Sequence, residues 1–116
     1  MKEKITVYEK PTCTTCRKLA KWLEEKGIEH EKVNYYIEPL TEQKLRELLK
    51  KANLKAFDLL RKNEAAFKKK GFTEETPEDE IIKAMLENPD LIQRPIVEIG
   101  DKAVLARPIE KIEEIL

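Results

Sequence analysis

Pro11-Thr12-Cys13-Thr14-Thr15-Cys16-Arg17 holds both cysteines of this 116-residue chain, and its setting decides the fold. Before it lies an apolar run, Ile5-Thr6-Val7-Tyr8, that reads as a strand over 4–8. After it Leu19, Ala20 and Leu23 recur at helical spacing. The helix predicted here opens at Thr12 or Cys13, runs to about Lys26 and stops at Gly27. A thiol at such a junction meets the unpaired N–H groups and the positive dipole end of the first helical turn, which favour a negative charge. Since the thiolate is the reactive form of cysteine, the stretch proposes a reactive thiol. Cys16 falls on the inward stripe with Leu19, Ala20 and Leu23, whereas Cys13 lies one turn earlier, at the helix mouth. Cys13 is therefore expected to be exposed and ionised, and Cys16 sheltered and less acidic. Thr12 is expected to cap the helix, and Thr14 and Thr15 are candidate hydroxyl or backbone donors to an anion.

Working outward, residues 30–36 (His-Glu-Lys-Val-Asn-Tyr-Tyr) read as a second strand, with His30 an ordinary strand residue and Pro39 breaking the run. Strand, helix and strand within about thirty residues make a βαβ unit, so the two strands are expected to be parallel with a right-handed crossover. Thr41 caps a helix with Leu45, Leu48, Leu49 and Ala52 on one face. Shorter helical pieces carry Phe57, Leu59 and Leu60, then Ala65, Ala66 and Phe67 up to Gly71. Thr76-Pro77-Glu78-Asp79 reads as a capping Thr, a Pro at the first helical position and acids in the first turn of a helix carrying Ile81, Ile82, Met85 and Leu86. Pro95-Ile96-Val97-Glu98-Ile99, Gly100-Asp101 and Lys102-Ala103-Val104-Leu105 form a predicted hairpin. Pro108 opens a last helix expected to turn Ile109, Ile112, Ile115 and Leu116 inward. The economical solution is one α/β domain over 1–116: a four-stranded mixed sheet with a helical insertion at about 41–88.

Composition narrows the function. Lysine plus arginine and aspartate plus glutamate each number 23, and this balance argues against nucleic-acid binding through a broad basic surface. Lys2, Glu3 and Lys4 do not fit a signal peptide, and no apolar stretch approaches membrane-spanning length, so a cytoplasmic protein is expected. In that compartment structural disulfides are rare, and a C-x-x-C at a strand–helix junction reads as redox-active. A zinc site would need more thiols or histidines than the two cysteines and His30.

Three arginines stand at the ends of elements: Arg61 in Leu59-Leu60-Arg61-Lys62-Asn63, Arg94 before Pro95, and Arg107 before Pro108. Guanidinium groups bind tetrahedral oxyanions through paired hydrogen bonds. A thiolate facing them would be a thiolate with an oxyanion site, although spacing alone does not bring the three together.

Pro11-Thr12-Cys13, Leu60-Arg61-Lys62-Asn63, Arg94-Pro95-Ile96-Val97 and Arg107-Pro108, in this order, resemble the motifs of the glutaredoxin-like arsenate reductase (ArsC) family across nearly the whole chain. The resemblance implies a thioredoxin-like fold with a helical insertion and a cis peptide bond before Pro95. It implies Cys13 as nucleophile, with Arg61, Arg94 and Arg107 holding arsenate. It also implies no bound cofactor: an external thiol such as glutathione, with glutaredoxin or thioredoxin, completes the reduction. The chain departs from these reductases at Cys16, where they commonly carry serine, and at Glu9-Lys10, where they carry a histidine associated with the thiol. Glu9 close to Cys13 would raise its pKa and Lys10 would lower it. Cys16 is a candidate resolving thiol. The C-x-x-C pair is shared with the Spx-type regulators, relatives that bind the RNA polymerase α subunit and sense thiol oxidation. A redox switch is thus the alternative reading, and a general dithiol–disulfide reductase a third.

Overall fold

The computed structural model describes residues 4–10, 12–62 and 64–116; Pro11 and Asn63 of the motifs above lie outside these, as do Lys2 and Glu3. Strand β1 (Ile5–Glu9) leads into helix α1 (Thr14–Glu25) and strand β2 (Glu31–Asn34). Helices α2 (Glu42–Ala52), α3 (Ala56–Leu59), α4 (Ala65–Lys70) and α5 (Glu78–Glu87) follow. A 3-10 turn (Pro89–Leu91), strands β3 (Ile96–Ile99) and β4 (Lys102–Leu105), and a 3-10 helix (Ile109–Glu114) complete the described order.

The sheet is mixed, in the order β2-β1-β3-β4. β1 pairs parallel with β2, in register Val7 to Lys32 and Glu9 to Asn34, and antiparallel with β3. The alternation of β1 sorts its side chains between two cores. Tyr8 faces α2, α3 and α5 in a core with Leu45, Leu48, Leu59, Ile82 and Met85, joined by Ile96 of β3. Val7 faces α1 and the last 3-10 helix, packing with Leu19, Leu23, Val97 and Ile112. The sheet is therefore covered on both faces, and its ends are where polar side chains gather. Gly27, at φ 67°, takes the left-handed conformation that ends α1, and Gly100, at φ 59°, turns the β3–β4 hairpin as expected.

Local expectations are corrected at four places. The second strand ends at Asn34 rather than at residue 36, because the Asn34 side chain accepts from the Tyr36 N–H at 3.0 Å and bends the chain into a turn. Pro77, not Thr76, is the N-cap of α5: Thr76 Oγ1 is taken by the Thr73 N–H at 2.9 Å, and the Pro77 carbonyl accepts from Glu80 at 3.1 Å. The last helix is 3-10: Ile112 is fully buried, Ile109 and Ile115 pack part-buried against the same core, and Leu116, beyond the helix, stays 55% exposed rather than turning inward. Cys13, not Thr12, caps α1: its Sγ accepts from the Cys16 N–H at 3.4 Å, while Thr12 is exposed.

Candidate functional site

Cys13 stands just past the C-terminal end of β1, its N–H donating to the Lys10 carbonyl at 2.9 Å. Its thiol is half-buried and points at the α1 N-terminus. Burial alone would raise its pKa; hydrogen bonding from the Cys16 thiol and N–H and the charge of Arg94 outweigh it and hold the Cys13 thiol below its ordinary value. Cys16 is at 0% exposure on the inward face of α1. Burial pushes its thiol up to about 12; a backbone contact from Lys10 opposes the rise, and Cys13 and Glu9 add to it. Cys13 is half-buried rather than exposed, because its thiol turns in to cap α1; the acidities of the two free thiols differ in the expected direction.

Arg94 belongs to the segment entering β3, antiparallel to β1, which brings it to the end of the sheet where Cys13 lies. The Arg94–Pro95 bond is cis, as the resemblance implies, and the Arg107–Pro108 bond is also cis. Only 6% of Arg94 is exposed. Its Nη1 donates to Tyr36 Oη and to the Ile92 carbonyl, each at 3.4 Å, whereas its buried Nε has no partner among the described residues. Arg107 follows β4 and donates from Nη1 to the Arg94 carbonyl at 3.3 Å, so a second guanidinium is tied to the backbone of the first. Arg61 comes to the same end by a different route. An isolated bridge pairs Leu60 with Ile92, flanked by Arg61 N–H to Leu91 carbonyl at 2.8 Å and Gln93 N–H to Leu59 carbonyl at 2.9 Å. The Arg61 guanidinium pairs with Glu64 at 2.9 Å and its charge reaches Asp90. Arg94 is thus the arginine whose charge acts on Cys13, Arg107 is tied to the Arg94 backbone, and the Arg61 charge acts on Asp90. Thr14 and Thr15 occupy the first turn of α1, Thr14 exposed and Thr15 half-buried.

Tyr36, Asp90 and Lys10 complete the surroundings; Lys10 was noted from the sequence for its charge, whereas Tyr36 and Asp90 were not. Tyr36 Oη donates to Asp90 and accepts from Arg94, Lys10 sits 4.7 Å from the Tyr36 ring centroid and Lys10 Nζ is 3.8 Å from Asp90. The Tyr36 hydroxyl, with help from Lys10 and Arg94, holds the Asp90 carboxyl below its ordinary pKa. A signal for Tyr36 was present in the βαβ unit: parallel strands end on the same edge, so a residue just past β2 lies beside one just past β1. Glu9 faces α1, and its charge adds to the rise of the Cys16 thiol. Lys68, Lys69 and Lys70 form the exposed last turn of α4. Among the described residues no group of three or more His, Cys, Asp or Glu side chains is arranged to hold a metal, and no helix is long and apolar enough to cross a membrane.

Comparison with known proteins points the same way as the site. The ArsC family model matches residues 8–115. Arsenate reductase of Yersinia enterocolitica is 37% identical over 113 residues, covering 97% of this chain and 80% of that protein. Global transcriptional regulator Spx of Listeria innocua is 30% identical over 94 residues, covering 80% of this chain and 72% of the regulator. Among solved structures, an arsenate reductase from Vibrio cholerae superposes over the full length of both chains with a TM-score of 0.92 at 28% identity.

Proposed function

Because the chain belongs to the ArsC family, with an arsenate-reductase-like sequence and a thioredoxin-like α/β fold, we propose that it is a thiol-dependent arsenate reductase working through Cys13. The observation that carries this reading is a buried guanidinium with an unpartnered Nε, that of Arg94, whose charge acts on a thiol already held towards its thiolate form. A buried donor without an acceptor invites an anion, and a thiolate beside it supplies the nucleophile. In this reading Arg94 takes the oxyanion first, and Arg107, Arg61, Thr14, Thr15 and the N–H groups of the first α1 turn are the candidate further donors.

In this mechanism the Cys13 thiolate attacks arsenic(V), a sulfur–arsenic bond forms, and an arsenate oxygen leaves as water. The arginines offset the repulsion between thiolate and oxyanion and stabilise the charge that builds in the transition state. An external thiol of the glutathione type then attacks the adduct. Arsenic takes two electrons and departs as arsenite, and two sulfurs join in a disulfide that glutaredoxin or thioredoxin reduces.

The test is arsenate-dependent NADPH oxidation coupled through glutathione, glutaredoxin and its reductase. Wild type turns over, Cys13→Ser is inactive, and Arg94→Ala loses about a hundredfold or more in turnover. A wild-type protein that binds no oxyanion and consumes no NADPH overturns the reading. The C-x-x-C pair and the similarity to the Listeria regulator favour one other reading, a redox switch on RNA polymerase. It would give no turnover, together with binding to the polymerase α subunit that changes on Cys13–Cys16 oxidation.

A further inference from the structure

A guanidinium is rigid and planar, so what holds one of its nitrogens decides where the others point. Nη1 of Arg94 has two acceptors, Tyr36 Oη and the Ile92 carbonyl, each at 3.4 Å. The N–H bonds of Nη1 lie in the guanidinium plane. Two fixed acceptors therefore set that plane, and with it the direction of the buried Nε, which has no partner among the described residues. One acceptor is backbone: the Ile92 carbonyl, which also takes the hydroxyl of the buried Tyr35 at 3.3 Å. The other is a side chain brought from the turn after β2. Tyr36 is itself fixed there. Its N–H donates to the Asn34 side chain at 3.0 Å, its ring stacks on Tyr35 with centroids 5.1 Å apart, and Lys10 Nζ lies 4.7 Å from its ring centroid. Its hydroxyl ends on Asp90, whose own N–H donates to the Asn88 side chain at 3.2 Å. Neither Tyr36 nor Asp90 belongs to the motifs that carry the family resemblance.

The chemistry of the three groups leaves one direction for the hydrogen bonds between them. A guanidinium only donates and a carboxylate only accepts, so the hydroxyl between them accepts from Arg94 and gives its proton to Asp90. We propose that Tyr36 is a positioning residue of the anion site: its hydroxyl, with its proton committed to Asp90, holds Arg94 Nη1 so that Nε turns to the oxyanion and the guanidinium stays beside Cys13. Asp90 then has a task in a site for anions, where a carboxylate is otherwise a repulsive neighbour: it fixes the polarity of the relay. In this role Tyr36 acts through Arg94 and needs no contact with Cys13 or the anion. Burial and the bond to Asp90 push the Tyr36 hydroxyl above its ordinary pKa, and the same bond holds the Asp90 carboxyl below its own, so both groups keep these roles at neutral pH.

The inference rests on the reading of Arg94 as the anion-binding arginine beside a reactive Cys13. Its test is a double-variant cycle on the full chain, read by the rate of Cys13 alkylation with iodoacetamide at neutral pH and by the slowing of that rate with inorganic phosphate. Tyr36→Phe keeps the stacked ring and removes the hydroxyl. It is expected to slow alkylation about threefold and to weaken phosphate protection about tenfold. In the Arg94→Met background the same substitution should change the alkylation rate by less than about twofold, because nothing is left for Tyr36 to position. A merely structural role would slow alkylation equally in both backgrounds. The Asp90 variants form a second arm. Asp90→Asn keeps an acceptor for the hydroxyl, whereas Asp90→Ala removes charge and acceptor together. Phosphate protection should therefore be about fivefold tighter in Asp90→Asn than in Asp90→Ala. In the coupled assay Tyr36→Phe should raise the arsenate KM about tenfold and lower kcat by less. A Tyr36→Phe protein that behaves as wild type, equal slowing with and without Arg94, or equal protection in the two Asp90 variants overturns the proposal. Wild-type alkylation that phosphate does not slow overturns the anion site and the proposal together. Arsenate turnover that fails in wild type while the cycle behaves as described overturns the reductase reading alone.

Discussion

At the scale of single residues, two neighbouring thiols of the same chemical type are driven apart by position. Cys13 takes the helix N–H groups and an arginine, and Cys16 takes the core. The Arg94 share of this difference is measurable. An opposite charge beside a thiol favours its thiolate and lowers its pKa, so removing it returns the thiol upward. The pH midpoint of Cys13 alkylation by iodoacetamide should then move to higher pH in Arg94→Met. At neutral pH the rate should drop by about tenfold, and an unchanged midpoint would assign the lowered value to the helix and Cys16 alone. Asp90 works in the opposite sense. Its carboxylate engages Tyr36 and Lys10 in the same cluster that is proposed to hold an oxyanion. Asp90→Asn removes a like charge and should tighten phosphate protection of Cys13 from alkylation by about fivefold at low salt, an effect that shrinks as salt is added. Equal protection in both proteins would place Asp90 outside the anion's reach.

At the scale of elements, the strands, α1, α2 and the hairpin were legible because their periodicities are local: alternation in β1, a 3.6-residue stripe in α1, and a threonine cap at Thr41 whose Oγ1 accepts from Lys44 at 3.0 Å. The candidate thiol and its sheltered neighbour were legible for the same reason. What was not legible depends on pairing between distant segments. Nothing in Leu60-Arg61 announces that it meets Ile92, yet that bridge is what carries Arg61 to the Cys13 end of the sheet. Asp90 enters through the same strap, and Tyr36 through a strand that stops two residues early. At the α1 cap a cysteine sulfur takes the role usually given to a hydroxyl, which the threonine-rich stretch conceals. Gln93 holds the strap, its Nε2 donating to the Asp58 carbonyl at 2.9 Å and the Leu60 carbonyl at 3.2 Å. Gln93→Ala is therefore expected to cost about 1–2 kcal/mol in urea unfolding. In the coupled assay it should raise the arsenate KM more than it lowers kcat, because it loosens Arg61 without touching Cys13. A variant with lower kcat at unchanged KM would contradict this placement of Arg61.

At the scale of the whole molecule, two helical layers share one sheet, and the same face that packs α2 carries a buried carboxylate. Glu98 of β3 is held by the Tyr8 hydroxyl at 2.7 Å, by Lys44 at 2.9 Å and by Lys51, which also donates to the Gly100 carbonyl at 2.8 Å. These contacts fasten α2 to the C-terminal end of β3 and the hairpin turn, and they sit on the opposite face of β1 from Glu9. Burial alone would raise the Glu98 pKa; hydrogen bonds from Lys51, Lys44 and Tyr8 reverse that and hold it at about 2, against an ordinary 4.5. A carboxyl with a depressed folded-state pKa stabilises the fold fully above its unfolded value and loses that contribution as pH falls. The window for Glu98 is therefore from about 4.5 down to about 2. Because Lys44 and Lys51 keep part of their side chains in solvent, the contribution is on the order of 2 kcal/mol rather than the full value of the shift. Glu9 acts with the opposite sign: burial raises its pKa, so its ionisation disfavours the folded state above the ordinary carboxylate range and its protonation relieves that cost. Urea midpoints of wild type and Glu98→Gln should thus differ by the equivalent of about 2 kcal/mol at pH 7 and converge towards pH 2–3 as the wild type loses its advantage. Glu9→Gln should show the reverse pattern, gaining on wild type at pH 7 and matching it in acid. Parallel pH profiles for wild type and Glu98→Gln would show that the lysine–glutamate network leaves acid stability unaffected.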